Sequence, residues 1–198
     1  AENSLTGQLF LVNSGSTDIK VPAAYKNLRI WRNTAVANLS AGQTRTLAPG
    51  NQTLGYEWDI DADNGFRPRG SIRLSETTST TAEAFTDYGS SVKSPSTTTH
   101  NLTLYRTPSG ALVFGAGTVQ WAWGLSNLHT DNTGVANPPN PPAQSSTESR
   151  DAKQATMNVL ADMGVQPTTP TTGLIRGTAL PAGTAGPATT VTAPPSGS

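Results

Sequence analysis

Four acids stand close together in this chain: Glu57, Asp59, Asp61 and Asp63, closed by Asn64 and Gly65 within LGYEWDIDADNGFRPRGSIRL, residues 54–74. Carboxylates at alternate positions, Asp59-x-Asp61-x-Asp63, have the spacing of calcium-binding loops. The match is incomplete: Gly65 falls one residue late, and Glu76 is too distant to be the closing bidentate ligand. The competing reading is a solvated turn whose Asp and Asn side chains bond their own backbone. Glu57 differs from the other three because it lies between Tyr56 and Trp58. An acid beside apolar neighbours is paired, protonated or bound to a metal. Arg32, Arg67 and Arg69 are the cations available to pair with it.

The other chemistry-bearing residues are few. His100 and His129 are the only histidines. His129 follows a glycine-rich strand end, where open α/β sheets gather ligand-facing residues, so it is a candidate catalytic residue beside Glu57. A surface role is the alternative. No Gly-x-Ser-x-Gly elbow occurs, and Gly115-Ala116-Gly117 lacks the lysine of a phosphate loop and the third glycine of a dinucleotide motif. Trp121 and Trp123 suit either a sugar-stacking pocket or the edge of a core.

The elements that must position these residues read as follows. Residues 8–13 are an apolar run ended by a Ser-Gly-Ser turn, and form a strand. Residues 18–22 and 25–32 read as extended. Residues 71–76 alternate, with Ile72 and Leu74 on one face, as in a half-buried strand. Residues 77–99 are rich in Ser and Thr with few apolar anchors and read as a long irregular loop. Residues 100–106 and 111–117 read as paired strands, the second buried on both faces. Helical spacing of Ala152, Ala155, Val159, Leu160 and Met163 predicts a helix over 148–163, opened by a Ser145-x-x-Glu148 capping box and stopped by Gly164.

Composition limits the function classes. The chain has 198 residues, 13 basic and 13 acidic, and no cysteine. Neutral balance without a basic stripe argues against nucleic acid as a partner. Thiol catalysis and disulfides are excluded. No apolar run approaches the ~20 residues of a membrane helix. Charged residues are only 13%, against about a quarter in ordinary domains, with Thr, Asn and Ser in their place; this suits a secreted or extracellular protein. From residue 166 the chain is largely Pro, Thr, Ala and Gly and reads as a disordered linker over 166–198, leaving residues 1–165 as the folded domain. A start at Ala1 and a terminal linker suggest a piece of a longer polypeptide whose other domains are its partners.

Four phrases carry a resemblance: IKVPAAYKNLRIWRNTAVANL, TLGYEWDIDADNGFRPRGSIRLSETT, HNLTLYRTPSGALVFGAGTVQWAWGL and DAKQATMNVLADMGVQP. Together they resemble the C-terminal domain of the N,N-dimethylformamidase large (beta) subunit and its secreted bacterial relatives. The resemblance implies the later part of an α/β domain, flavodoxin-like and similar to class I glutamine amidotransferases. It also implies an iron held by two tyrosines and a glutamate, which would activate water against a small amide. The family's glutamate corresponds to Glu57. Where the amidase carries a histidine two residues earlier, this chain has Gly55, and the tyrosine ligands are expected upstream of Ala1. The implied function is hydrolysis of small amides by the longer parent, with this piece inactive alone. The alternative is a non-catalytic extracellular module that binds calcium or glycan through the acidic loop, or serves as a structural unit.

Overall fold

The computed structural model describes residues 2–126 and 148–177. Short helix α1 (Asn3–Thr6) leads into β1 (Leu9–Asn13), β2 (Lys20–Pro22), β3 (Thr44–Thr46), β4 (Glu57–Ile60) and β5 (Ile72–Arg73). Strands β6 (Thr77–Thr81), β7 (Ala84–Thr86), β8 (Ser91–Lys93), β9 (Ser96–His100), β10 (Thr103–Arg106) and β11 (Leu112–Gly115) follow, and helix α2 (Arg150–Asp162) comes last. The described part is therefore strand-rich with one substantial helix.

A four-stranded sheet runs β4-β1-β7-β8, and a three-stranded one β11-β10-β5. Ribbons β2-β3 and β6-β9 complete the set. All these pairings are antiparallel. The doubly wound parallel sheet of a flavodoxin-like domain is not seen among the described residues. Between successive strands from β6 to β11 the chain has only short turns, and parallel pairing needs a crossover of a dozen residues or more.

One irregularity decides what β1 presents. Phe10 pairs with Asp59 and Val12 with Trp58, so Leu11 is an extra residue. A bulge re-aims side chains. Val12 and Trp58 are buried in the core, whereas Phe10 is turned to the opposite face, beside Asp59. The core gathers Val12, Ile19, Trp31, Leu54, Trp58, Leu74 and Leu102, with Ala155 and Val159 contributed by α2.

Helix α2 docks largely through polar groups. Asn158 Nδ2 donates to the carbonyls of Ile30 and Arg32, each at 2.7 Å. Asp162 pairs with Arg29 and Arg32 at 2.9 Å, and Asp151 pairs with Arg45 at 2.8 Å. Ser149 is the N-cap, its hydroxyl accepting from the Ala152 N–H; Ser145 of the expected capping box lies outside the described residues. Gly164, at φ 87°, stops the helix as expected. Leu160 and Met163 prove exposed.

Several other expectations change. Residues 25–32 form 3-10 turns instead of a strand. Ile72 is exposed while Leu74 is fully buried, because regular pairing stops after Arg73. The strand at 112–115 is an edge strand, only partly buried. The stretch 77–99 is a pair of nested hairpins. Its inward positions in the outer ribbon are Thr77, Thr81, Ser96 and His100, so the period-2 burial carries no hydrophobic signature. Outward, Thr78 faces Thr99 and Thr80 faces Thr97 through hydroxyl bonds of 2.9 and 3.0 Å. The segment expected to be a linker from 166 is docked as far as Ile175, whose N–H and carbonyl both bond the Gln154 carboxamide.

Candidate functional site

Strand β4 is lined on both edges. β1 pairs with one edge, and on the other the Asp59 N–H donates to the Gly117 carbonyl at 2.8 Å and the Val119 N–H to the Glu57 carbonyl at 3.3 Å. Trp58 enters the core, so the alternation of a strand turns Glu57 and Asp59 together to the other face. There they border a cleft of about 440 Å³ with Gln8, Leu5, Phe10 and the 113–119 segment. Neither carboxylate has an ion pair among the described residues. Burial, then the negative charges of Glu2 and Glu57, push the Asp59 carboxyl up to about 6.

Gln8 forms part of the cleft wall, a role the sequence did not announce. It is almost fully buried. Its Nε2 donates to the Asn101 carbonyl at 2.6 Å. A Cβ at Gly115 would lie 2.2 Å from Gln8 Oε1, and one at Gly117 would lie 2.3 Å from Nε2. The two glycines are therefore what admits the Gln8 amide, which accounts for the Gly-Ala-Gly run without any phosphate.

The remaining acids part company with Glu57. Asp61 has a fully buried carboxylate held by Arg67 Nε at 2.6 Å, Arg67 Nη2 at 2.9 Å and Arg73 Nε at 2.6 Å. Burial alone would raise its pKa, but the two guanidinium groups overcome this and leave it below the usual carboxylate range. Two of the three arginines available to Glu57 are thus committed elsewhere, Arg67 to Asp61 and Arg32 to Asp162. Asp63 is exposed and borders a separate depression with Tyr25, Leu28 and the same two arginines. Among the described residues no three His, Asp or Glu side chains are grouped to hold a metal ion. The alternate-position spacing places the acids on opposite sides of the turn instead of around one point.

His100 is fully buried behind this wall, its Nε2 donating to the Ala116 carbonyl at 2.9 Å and its ring edge-on to Trp58. Burial outweighs that hydrogen bond and lowers its pKa to about 4. As pH falls below about 6.5 the unfolded chain takes up a proton that folded His100 refuses until about 4. Stability is expected to fall across that window, by up to about 3 kcal/mol from this group. Urea unfolding at pH 7 and 4.5 should show this slope in the wild type relative to His100→Asn. His129 lies outside the described residues. Trp121 stacks edge-on against Phe114 at 5.7 Å and covers the core.

Comparison with known proteins bears on this cleft. A family model described as N,N-dimethylformamidase beta subunit-like, C-terminal, matches residues 1–137. The chain belongs to that family. No curated protein and no solved structure matches it significantly. Glu57, the position carried over from the resemblance, borders the cleft. The position expected for a histidine is filled differently: a Cβ on Gly55 would sit 1.4 Å from Gln120 Oε1, and Gln120 is itself buried. Two of the phenols are engaged away from Glu57. The Tyr105 hydroxyl donates to the Leu5 carbonyl at 2.6 Å, and that of Tyr25 to Glu76 at 3.3 Å. Two carboxylates without a third donor do not make an iron site, so the described residues do not fit the implied metal.

Proposed function

We propose that the face of β4 carrying Glu57 and Asp59 is the amide-hydrolysing site of a formamidase-like protein. The observation that carries this is a pair of unpaired carboxylates in one cleft, one titrating near 6. A carboxyl tuned to that range suits general base catalysis at neutral pH. Asp59 would take a proton from a water as its oxygen attacks the amide carbonyl, then return that proton to the nitrogen as the C–N bond breaks. The acid's own proton then passes to the released amine, so carboxylate and protonated amine are the products at neutral pH. Glu57 contributes the negative charge that helps hold Asp59 in this range. Membership of the family supports amides as the substrate class. A secreted, multidomain setting suits the low charge content and remains part of the proposal.

The test is release of amine from formamide and acetamide by the purified protein. Glu57→Gln and Asp59→Asn should each lower the rate by about 100-fold or more. Activity in the wild type should rise with pH through about 6. Full activity in both variants, or none against any linear amide in the wild type, would end this reading.

A further inference from the structure

Asn64-Gly65 is the chain's one Asn-Gly pair. It lies in the bend that follows Asp61 and Asp63, outside any helix or strand. Three features of that bend bear on its chemistry. Asn64 Oδ1 accepts two hydrogen bonds, from Asn3 Nδ2 at 2.8 Å and from the Phe66 N–H at 3.2 Å. Donors aimed at an amide oxygen polarise its carbon and stabilise the oxyanion that forms when a nucleophile adds. The next nitrogen along the chain, the Gly65 N–H, has no acceptor among the described residues. Gly65 is also exposed, with open space where a side chain would stand, so solvent base reaches that N–H and no Cβ crowds the addition.

We propose that Asn64 is a modification site, converted without an enzyme to aspartate and isoaspartate. Base removes the Gly65 amide proton, and the nitrogen adds to Asn64 Cγ. The Cγ–Nδ2 bond breaks and ammonia leaves, closing a succinimide ring. Water then adds to either ring carbonyl and breaks its bond to the ring nitrogen. Opening at Cγ gives aspartate, and opening at the backbone carbonyl gives isoaspartate. One water is consumed and one ammonia released. Either product puts a new negative charge beside Asp63. Isoaspartate also reroutes the backbone through Cβ and Cγ, which withdraws Oδ1 from Asn3. Asn3 is fully buried, and its amide donates to the Ala62 carbonyl as well as to Asn64. These bonds tie α1, whose Leu5 and Thr6 border the cleft, to the acidic bend. The modification therefore loosens one wall of the cleft without touching Glu57 or Asp59.

Peptide mapping of the full chain, kept folded at mildly alkaline pH and sampled over days, tests this. The Asn64 peptide should exchange its side-chain NH2 for OH sooner than any other asparagine peptide, with isoaspartate exceeding aspartate and the rate rising with pH. Backbone amide signals of α1 should shift with the same time course, ahead of those of α2. Asn64→Gln, whose longer side chain does not close the same ring, should leave both unchanged. Asn64 intact in the folded chain, conversion only after unfolding in urea, or aspartate with no isoaspartate would each overturn the proposal. Conversion with unmoved α1 signals would overturn the link to the cleft wall. If Asn64→Gln does not fold, the wild-type maps still decide, and none of these outcomes depends on whether any amide is hydrolysed.

Discussion

Replacing Asp59 by asparagine is expected to make the protein more stable at neutral pH while it removes amide hydrolysis. The folded state holds this carboxyl near 6, above its ordinary value of 3.8. Folding therefore favours the protonated form, and the ionised form is disfavoured at every pH above about 6. The deficit disappears as pH falls below the unfolded value, where both states are protonated. A shift of this size corresponds to about 3 kcal/mol for a fully buried group. Asp59 is only partly buried, so solvent screening reduces the expected gain to about 1–2 kcal/mol. Urea unfolding at pH 7 should show it, and the gap between wild type and variant should narrow steadily from pH 6 towards pH 4. A group that weakens the fold at the working pH is expected at a functional site.

Asp61→Ala is expected to act in the opposite sense and more strongly. Its carboxylate has no solvent exposure and joins Arg67 to Arg73. Removing it leaves two cations facing each other with neither countercharge nor acceptor. Breaking a fully buried pair in this way costs about 3–5 kcal/mol; because Arg73 reaches solvent, about 2–3 kcal/mol is the expected loss. The stabilisation is present above the unfolded carboxyl pKa and is lost as pH falls through the lower folded value. Asp63→Ala, at an exposed position, should change stability by less than about 0.5 kcal/mol. Calcium should protect neither wild type nor variants, since both Asp61 oxygens are already engaged by arginine. Thermal unfolding with and without millimolar calcium checks both points.

The contrast between these neighbours shows what was legible in the residues. Glu57 was singled out by its apolar flanks and by family resemblance, and it does face the cleft. The spacing of Asp59, Asp61 and Asp63 suggested one loop of ligands. The chain instead sends Asp59 to the cleft and Asp61 to an arginine clamp, because strand alternation ends between them and Arg67 folds back from the following turn. Spacing cannot announce that fold-back. Helix α2 was readable from its small-residue stripe and Gly164, but its docking through Asn158, Gln154 and Asp151 has no apolar period to find. The threonine ribbon was hidden for a related reason: hydroxyls and His100 fill its inner face. The bulge at Leu11, which puts Phe10 beside Asp59, depends on the partner strand and is invisible locally. Gln8 could have been suspected only from the glycines that make room for it.

The pairing of Glu57 with Asp59 in one partly buried cleft is most directly tested by titrating the Asp59 side-chain carboxyl carbon by NMR, in the wild type and in Glu57→Gln. A midpoint near 6 in the wild type, moving down when Glu57 loses its charge, is the expected result. A midpoint in the ordinary carboxylate range near 4, unmoved by Glu57→Gln, would contradict it.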